Sequence, residues 1–214
     1  MKTIARIILN TNNWVSPSNS TNKNAVEVKN GINSYRYGYE EWNNDEQIKA
    51  LNLGYLECYR HSNFPDDAEL IILVCRDGNG DYFHYGNMYN VRQLQNLEIE
   101  TIRKELQKTN WLKKVESQFK VAPFFDNSNF LNHHYMGAWN SNEIVTRGQM
   151  PGFIMNIEYN SFKLLPQPIN LTKLAGTDFD NRKIAKLTVR YYLENFMNNF
   201  EKSNPLHKYL KDIK

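Results

Sequence analysis

The alternation of apolar and polar positions along the chain predicts a mixed α+β fold. Runs of β-branched and apolar residues between turn-formers predict strands at residues 3–9, 53–60, 69–76, 81–89, 144–147 and 153–159. The continuous apolar run at 69–76 indicates a strand that is buried on both faces. Asp77-Gly78-Asn79-Gly80 is typical of a hairpin turn, so we expect residues 81–89 to return antiparallel to this strand.

Helical periodicity appears twice. Apolar residues at roughly helical spacing predict a helical insertion at about 92–120; they are Leu94, Leu97, Ile102, Leu106 and Trp111. Pro166-Gln167-Pro168 predicts a break in the chain. A C-terminal helix is expected over residues 182–200. Its apolar face would hold Ile184, Leu187, Tyr191 and Phe196, and its polar face Arg182, Lys183, Lys186 and Arg190.

Composition narrows the class of protein. With 214 residues, 41% of them hydrophobic, the chain can form one substantial core. The only two cysteines, Cys58 and Cys75, lack Cys-x-x-Cys spacing, which argues against a disulfide framework or a zinc site and favours a reducing cytoplasm. No apolar run approaches the length that spans a bilayer, and residues 1–10 resemble a first strand more than a signal peptide. We therefore expect a cytoplasmic protein that makes no membrane contact.

The stretch from Trp14 to Trp42 combines residue types that are suited to ligand binding. It opens with Asn12-Asn13-Trp14-Val15-Ser16-Pro17 and ends with Tyr35-Arg36-Tyr37-Gly38-Tyr39-Glu40-Glu41-Trp42. The intervening residues are polar and without period, which predicts a long loop. Aromatic faces stack on flat ligands, carboxylates accept from exocyclic amines, and arginine pairs with phosphate or guanine edges. The alternative is a strand end whose aromatic residues fill the core and whose acids face water.

Four segments of the first half carry a family resemblance. They are Trp14-Val15-Ser16-Pro17, Gly38-Tyr39-Glu40-Glu41-Trp42, Gly54-Tyr55-Leu56, and Tyr82 to Val91, which ends in a Gly-x-Met-x-Asn-Val pattern from Gly86. Together they resemble an N-terminal domain that precedes HNH nuclease domains in bacterial restriction-type proteins. The resemblance implies a DNA-reading module that senses modified bases. The HNH part is missing here, so such a module would act alone, as a reader or inhibitor, or recruit a separate nuclease chain.

This resemblance, together with the pattern of short strands, shapes the expected architecture. We expect a mixed, partly closed sheet of five or six strands, similar to PUA, EVE or YTH domains. The reader-like domain would span residues 1–170 and include the helical insertion. A C-terminal helical segment, residues 171–214, would pack on it.

The predicted base-binding pocket consists of Asn13, Trp14, Tyr37, Tyr39, Glu40, Glu41 and Trp42. A pocket for an extruded base needs flat walls and one or two polar groups at the base edge. We expect Trp42 to support the fold, and Trp14 and Tyr39 to offer faces for stacking.

A phosphate-binding surface is predicted from basic residues in or beside loops at strand ends. They are Lys23, Lys29, Arg36, Arg60 and Arg147. The net charge is only +3, so affinity for nucleic acid, DNA rather than RNA, must come from a local patch. The alternative is that these side chains only solvate the surface.

The candidate catalytic motifs in the sequence are incomplete, and we predict no catalytic residues, metal or cofactor. Asp66, Asp67 and Glu69 lack the lysine that a PD-(D/E)xK nuclease needs, and His133-His134 lacks the remaining residues of a ββα-metal nuclease. Adjacent carboxylates such as Glu40-Glu41 point to opposite faces of a strand. Two alternatives to a reader therefore stay open: a protein–protein or regulatory module of phage or plasmid origin, and a diverged metal-dependent nuclease.

Overall fold

The computed structural model describes residues 1–7, 9–10, 12–15, 43–56, 58–59, 67–111, 113–114, 117–118, 155–179, 184 and 190–213. The strands are β1 (Lys2–Arg6), β2 (Leu53–Gly54), β3 (Asp67–Arg76), β4 (Tyr82–Gln93), β5 (Ile157–Glu158), β6 (Ser161–Asn170) and β7 (Arg190–Tyr192). The helices are α1 (Glu46–Ala50), α2 (Asn96–Lys108), α3 (Leu171–Ala175), α4 (Leu193–Met197) and α5 (Pro205–Asp212). A 3-10 turn covers Gly176–Asp178.

All seven strands belong to one mixed sheet with the order β2-β5-β4-β3-β1-β7, and β6 also pairs with β4. Strands β1 and β3 are parallel, and the other pairs are antiparallel. The predicted α+β class and mixed sheet are confirmed. The predicted partial closure is wrong, because the sheet formed by the described strands is open, from β2 to β7.

Strand β3 is buried on both faces, as its apolar run predicted. Leu70, Ile72 and Val74 enter one core together with side chains of α3, α4 and α5. Ile71, Leu73 and Cys75 enter a second core with Trp14, Leu56, Tyr59, Ile157 and Tyr159. We call the first side of the sheet the helix face and the second the junction face. Burial of apolar area stabilises the fold by about 25 cal/mol per Å² on each face, and the central strand β3 contributes side chains to both faces.

The predicted hairpin turn between β3 and β4 is confirmed. The Asp77 carboxylate accepts hydrogen bonds from the backbone N–H groups of Asn79 at 2.9 Å and Asp81 at 2.8 Å. Gly80 has φ = 97°, a conformation that side-chain-bearing residues rarely adopt. A carboxylate that binds the turn's own backbone is the usual way in which Asp starts such a turn.

The prediction that Pro166-Gln167-Pro168 breaks the chain is wrong, because both prolines lie inside β6. His84 of β4 is opposite Ile169, and Gly86 is opposite Leu164. Residues 165–168 thus lie opposite Tyr85 alone, in a stretch of β6 that is out of register with β4. Proline has no N–H to give to a ladder, and at this irregularity none is required.

The predicted helix over 182–200 is also wrong. Residues 190–192 form strand β7 against β1, and α4 begins only at Leu193. Arg190, which was assigned to a polar helix face, is fully buried, with its guanidinium 4.0 Å from the centre of the Tyr59 ring. Tyr191 and Phe196 satisfy a helical apolar pattern, but a strand followed by a short helix also packs both against the core of the helix face.

The helical insertion is confirmed as α2, with further helical residues at 111, 113–114 and 117–118. Its N-terminus is held by the capping pair Gln95 and Glu98. Arg92 of β4 makes a bidentate pair with Glu98 and also contacts Glu158 of β5. Leu97 is 80% exposed and does not belong to the buried stripe that its spacing predicted.

The strand predicted at 53–60 is shorter than expected, since β2 contains only Leu53–Gly54 and residues 58–59 are helical. The strand predicted at 144–147 lies outside the described residues. Residues 171–213 contribute strand β7 to the sheet in addition to helices.

Candidate reading site at the junction face

The structure describes two of the predicted pocket residues, Asn13 and Trp14. The other pocket residues, Tyr37, Tyr39, Glu40, Glu41 and Trp42, lie outside the described residues, as do the phosphate-binding candidates Lys23, Lys29, Arg36, Arg60 and Arg147. Their assignment stays a prediction. What the structure provides is the geometry of the two ends between which residues 16–42 run.

The first end is a tight turn organised by Asn10. Its buried amide oxygen accepts hydrogen bonds from the backbone N–H groups of Asn12 at 2.7 Å and Trp14 at 2.9 Å. Asn13 and Trp14 have φ values of 54° and 56°, in the left-handed region. Asparagine tolerates this region, but for a bulky residue such as tryptophan it is an outlier that its surroundings must hold in place. The Asn10 amide and the burial of the indole supply that restraint.

Trp14 is a core side chain in this structure. It is 1% exposed, and its ring meets the Tyr85 ring edge-on, with the two centres 5.2 Å apart. An indole this deeply buried has no open face on which a base could stack. Trp14 therefore anchors the turn, and stacking would fall to the other aromatic residues of the predicted pocket.

The second end of the segment lies directly against the first. The backbone N–H of Asn44 donates to the Trp14 carbonyl oxygen at 2.7 Å, and the Asn44 amide donates to the Asn13 carbonyl oxygen at 3.0 Å. The residues that flank the segment 16–42 are thus hydrogen-bonded to each other. This places both attachment points of the predicted recognition segment at one location beside the sheet.

Two buried asparagines fix the neighbouring chain. The Asn43 amide binds the backbone N–H of Tyr55 at 2.7 Å and its carbonyl oxygen at 2.8 Å. The Asn156 amide does the same for Leu56, at 2.9 Å for both bonds. Each side chain takes the place of a neighbouring strand, because buried backbone groups must be paired. These roles could not be read from the sequence, because Asn43 and Asn156 lie 12 and 100 residues away from the backbone groups that they bind.

Gly54 allows three elements to approach one another at this point. A methyl group on Gly54 would lie 3.1 Å from the Asn43 amide oxygen and 3.3 Å from side-chain carbons of Ile157 and Tyr159. Asn43, the residue after Trp42, therefore borders Gly54 together with the ring of Tyr159. The requirement for glycine here is one of space rather than of backbone conformation.

Asp45 closes this region on the helical side. Its fully buried carboxylate caps α1 by accepting from the Gln47 N–H at 3.0 Å, and it forms an ion pair with Lys114. The cationic partner and the backbone donors offset the free-energy cost of burying this carboxylate. Asp45 is thus a structural group that joins the 111–118 region to the junction face.

A second polar cluster lies on the helix face and is centred on buried His84. The Tyr209 hydroxyl donates to its Nδ1 at 2.6 Å, and its Nε2–H is shared between the Gly86 carbonyl and the Asn87 amide oxygen, both at 3.0 Å. Burial lowers the pKa of His84, so the ring is neutral at physiological pH. Both ring nitrogens are engaged, which makes this cluster a link between α5 and β4.

Within the described ranges, no group of three or more His, Cys, Asp and Glu side chains is placed to hold a metal ion. Cys58 and Cys75 are both buried and are not joined in a disulfide. No helix in the described part of the chain is long and apolar enough to cross a membrane. Comparison of the chain with models of protein families, with curated proteins and with solved structures finds no match.

Proposed function

We propose that this protein is a nucleic-acid reader that binds DNA and recognises a modified base in a bacterial restriction or defence setting, on a sheet related to PUA, EVE or YTH domains. The observation that carries the proposal is that the two flanks of the segment 16–42 are hydrogen-bonded to each other. The Asn44–Trp14 hydrogen bond joins the two flanks of the segment at 2.7 Å, beside a buried sheet. The segment itself contains the aromatic, acidic and basic residues that base recognition requires.

Binding loops work best when a rigid scaffold holds their ends. Here the Asn10 turn, the Trp14 indole and the Asn43 amide fix those ends through buried contacts. Fixing the ends in advance reduces the conformational entropy that is lost when a ligand orders the segment. The strained backbone of Trp14 fits the same interpretation, since strain concentrates at functional sites.

Binding to plain, methylated and hydroxymethylated duplexes of one sequence, measured by fluorescence anisotropy at low salt, tests the proposal. We expect at least one modified duplex to bind about tenfold or more tightly than the plain duplex, and binding to weaken as salt rises because phosphate contacts release counterions. If no duplex binds at low salt, the proposal is wrong, and a protein partner becomes the better explanation of the segment.

Variants of the segment separate base contacts from phosphate contacts. Tyr39→Ala should weaken the preferred duplex by about 1–3 kcal/mol, the usual contribution of one stacked base. Arg36→Ala should weaken all duplexes alike and reduce the salt dependence. Lys208→Ala is the matched control, because it removes the same charge from an exposed position on α5, whose apolar side packs on the helix face. An equal effect of Lys208→Ala would show that the charge effect is not local.

A further inference from the structure

The hydroxyl of Tyr159 has no hydrogen-bond partner among the described residues. Tyr159 is 1% exposed, and its buried oxygen makes no hydrogen bond to the part of the chain that the structure describes. The large majority of buried side-chain polar atoms are hydrogen-bonded, so each exception needs an explanation. Phenylalanine would fill the same space at this position without burying an unpaired oxygen. The hydroxyl therefore contributes no visible stabilising contact to the fold.

Tyr159 lies at the base of the candidate reading site. Its ring approaches the same point above Gly54 as the amide oxygen of Asn43, the residue that follows Trp42. Its backbone N–H donates to the Asn52 carbonyl oxygen at 2.9 Å. Its ring also packs in the core that contains Trp14. Tyr159 thus shares a core with Trp14 at one end of the segment 16–42 and borders Gly54 together with Asn43 at the other end.

We propose that the Tyr159 hydroxyl is a ligand-contacting group that donates a hydrogen bond to an acceptor atom, a carbonyl oxygen or ring nitrogen, of a bound base. This inference rests on the proposed function and adds to it a contact residue outside the segment 16–42. The hydroxyl is closed to solvent in this structure. A base that reaches it must therefore enter between the side chains of the junction face, as an extruded base enters a pocket.

The surroundings suit a neutral donor. Burial raises the pKa of Tyr159 to about 12, so the phenol keeps its proton at physiological pH. The ring is fixed by an edge-on contact with Phe162, with the ring centres 6.2 Å apart. A fixed donor in a dry site discriminates strongly between a base that offers an acceptor and one that does not, because an unmatched polar group stays unpaired.

Tyr159→Phe is the test, because it removes the oxygen and keeps the ring. We expect its melting temperature to equal or exceed that of the wild type, since no hydrogen bond is lost. Its affinity for the preferred modified duplex should fall about five- to twentyfold, as for the loss of one buried hydrogen bond. Non-specific binding to plain duplex should not change, because that binding depends on phosphate contacts.

Tyr209→Phe is the matched control on the opposite face of the sheet. It deletes the hydroxyl that donates to His84 at 2.6 Å, so it should lower the melting temperature and leave the affinity unchanged. Unchanged affinity of Tyr159→Phe, with or without a loss of stability, would overturn the inference while the proposed function stands. If the wild-type protein binds no duplex, the proposed function itself fails.

Discussion

The two faces of the sheet are built by different means, although one strand supplies both. On the helix face, Leu70, Ile72 and Val74 of β3 are covered by apolar side chains of α3, α4 and α5. On the junction face, Ile71, Leu73 and Cys75 are covered by irregular chain around Trp14 and by short strand pieces. Helices satisfy their own backbone hydrogen bonds, whereas irregular chain cannot. The junction face therefore needs polar side chains in its interior.

Asparagine meets that need at three buried positions. Asn10, Asn43 and Asn156 pair backbone groups of the Trp14 turn, Tyr55 and Leu56. An amide carries both a donor and an acceptor, so it can replace a missing strand neighbour. On the helix face the covering helices pair their own backbone groups, and the buried His84 cluster adds one side-chain link between α5 and β4. The shape of the junction face depends on a few specific side chains.

The largest effect is expected where the junction face depends on a single large side chain. Trp14→Ala should lower the free energy of unfolding by about 3–5 kcal/mol, the usual cost of deleting a buried aromatic side chain. Urea unfolding monitored by circular dichroism measures it. Leu206→Ala, a fully buried residue of α5, is the control on the helix face, with an expected cost of about 2–5 kcal/mol.

The outcome bears on the comparison of the two faces and on the sequence analysis. The sequence suggested that Trp14 offers a stacking face, whereas the structure shows it 1% exposed. A loss below about 0.5 kcal/mol for Trp14→Ala, within the range of surface substitutions, would restore the interpretation of Trp14 as a stacking residue. It would also show that the asparagine amides alone hold the junction face.

The next prediction concerns His84, the one histidine that is buried among the described residues, on the helix face. In the unfolded chain His84 titrates with a pKa of about 6.5, whereas burial lowers its pKa in the folded state. The stability that depends on the neutral ring is fully present above pH 6.5, the pKa in the unfolded chain. It is lost as the pH falls below 6.5, because the unfolded chain then binds a proton and the folded chain does not. The loss should reach at most about 1.4 kcal/mol per pH unit.

Urea unfolding between pH 7.5 and about pH 5.5 measures this dependence, before most carboxylates titrate. His84→Gln should flatten the pH profile, since it removes the titrating group from β4. A wild-type profile that is already flat over this range would contradict the assignment of a neutral, buried His84 that links β4 to α5.

The sequence predicted the elements whose pattern is local and missed those that depend on tertiary pairing. The apolar run of β3 and the Asp77 turn are recognisable because each needs only its own residues. Strand β7 is not, since Arg190 looks like a helix-surface residue until it is placed under the Tyr59 ring. The prolines of β6 likewise fit only because the strand is out of register there.

In the candidate site too, local sequence pattern predicted some features, and others depend on tertiary structure. Its aromatic and acidic residues were visible as a composition, but the meeting of its two flanks was visible only in the structure. Nothing in the sequence distinguishes Asn43 and Asn156, which clamp backbone, from the many asparagines that do not. Amide roles of this kind depend on which unpaired backbone groups the fold brings near.

The smallest predicted effect lies in the turn between β3 and β4, which belongs to both faces. Gly80 has φ = 97°, and a methyl group on it would lie 3.1 Å from a terminal guanidinium nitrogen of Arg76. The flexible Arg76 side chain can move, so the backbone conformation decides the cost. Gly80→Ala should therefore destabilise the protein by about 1 kcal/mol. Gly78 is exposed, and a methyl group on it would have no neighbour within 4 Å.

Gly78→Ala is thus the matched control, and it should be neutral or stabilise by up to about 1 kcal/mol through the unfolded state. Urea unfolding of both variants, followed by tryptophan fluorescence and by far-UV circular dichroism, measures the difference. Because β3 and β4 support both cores, the two signals should shift together in Gly80→Ala, as in a two-state transition. Separate transitions would mean that the two faces unfold independently, and the helix face would then be a scaffold that persists when the junction face opens.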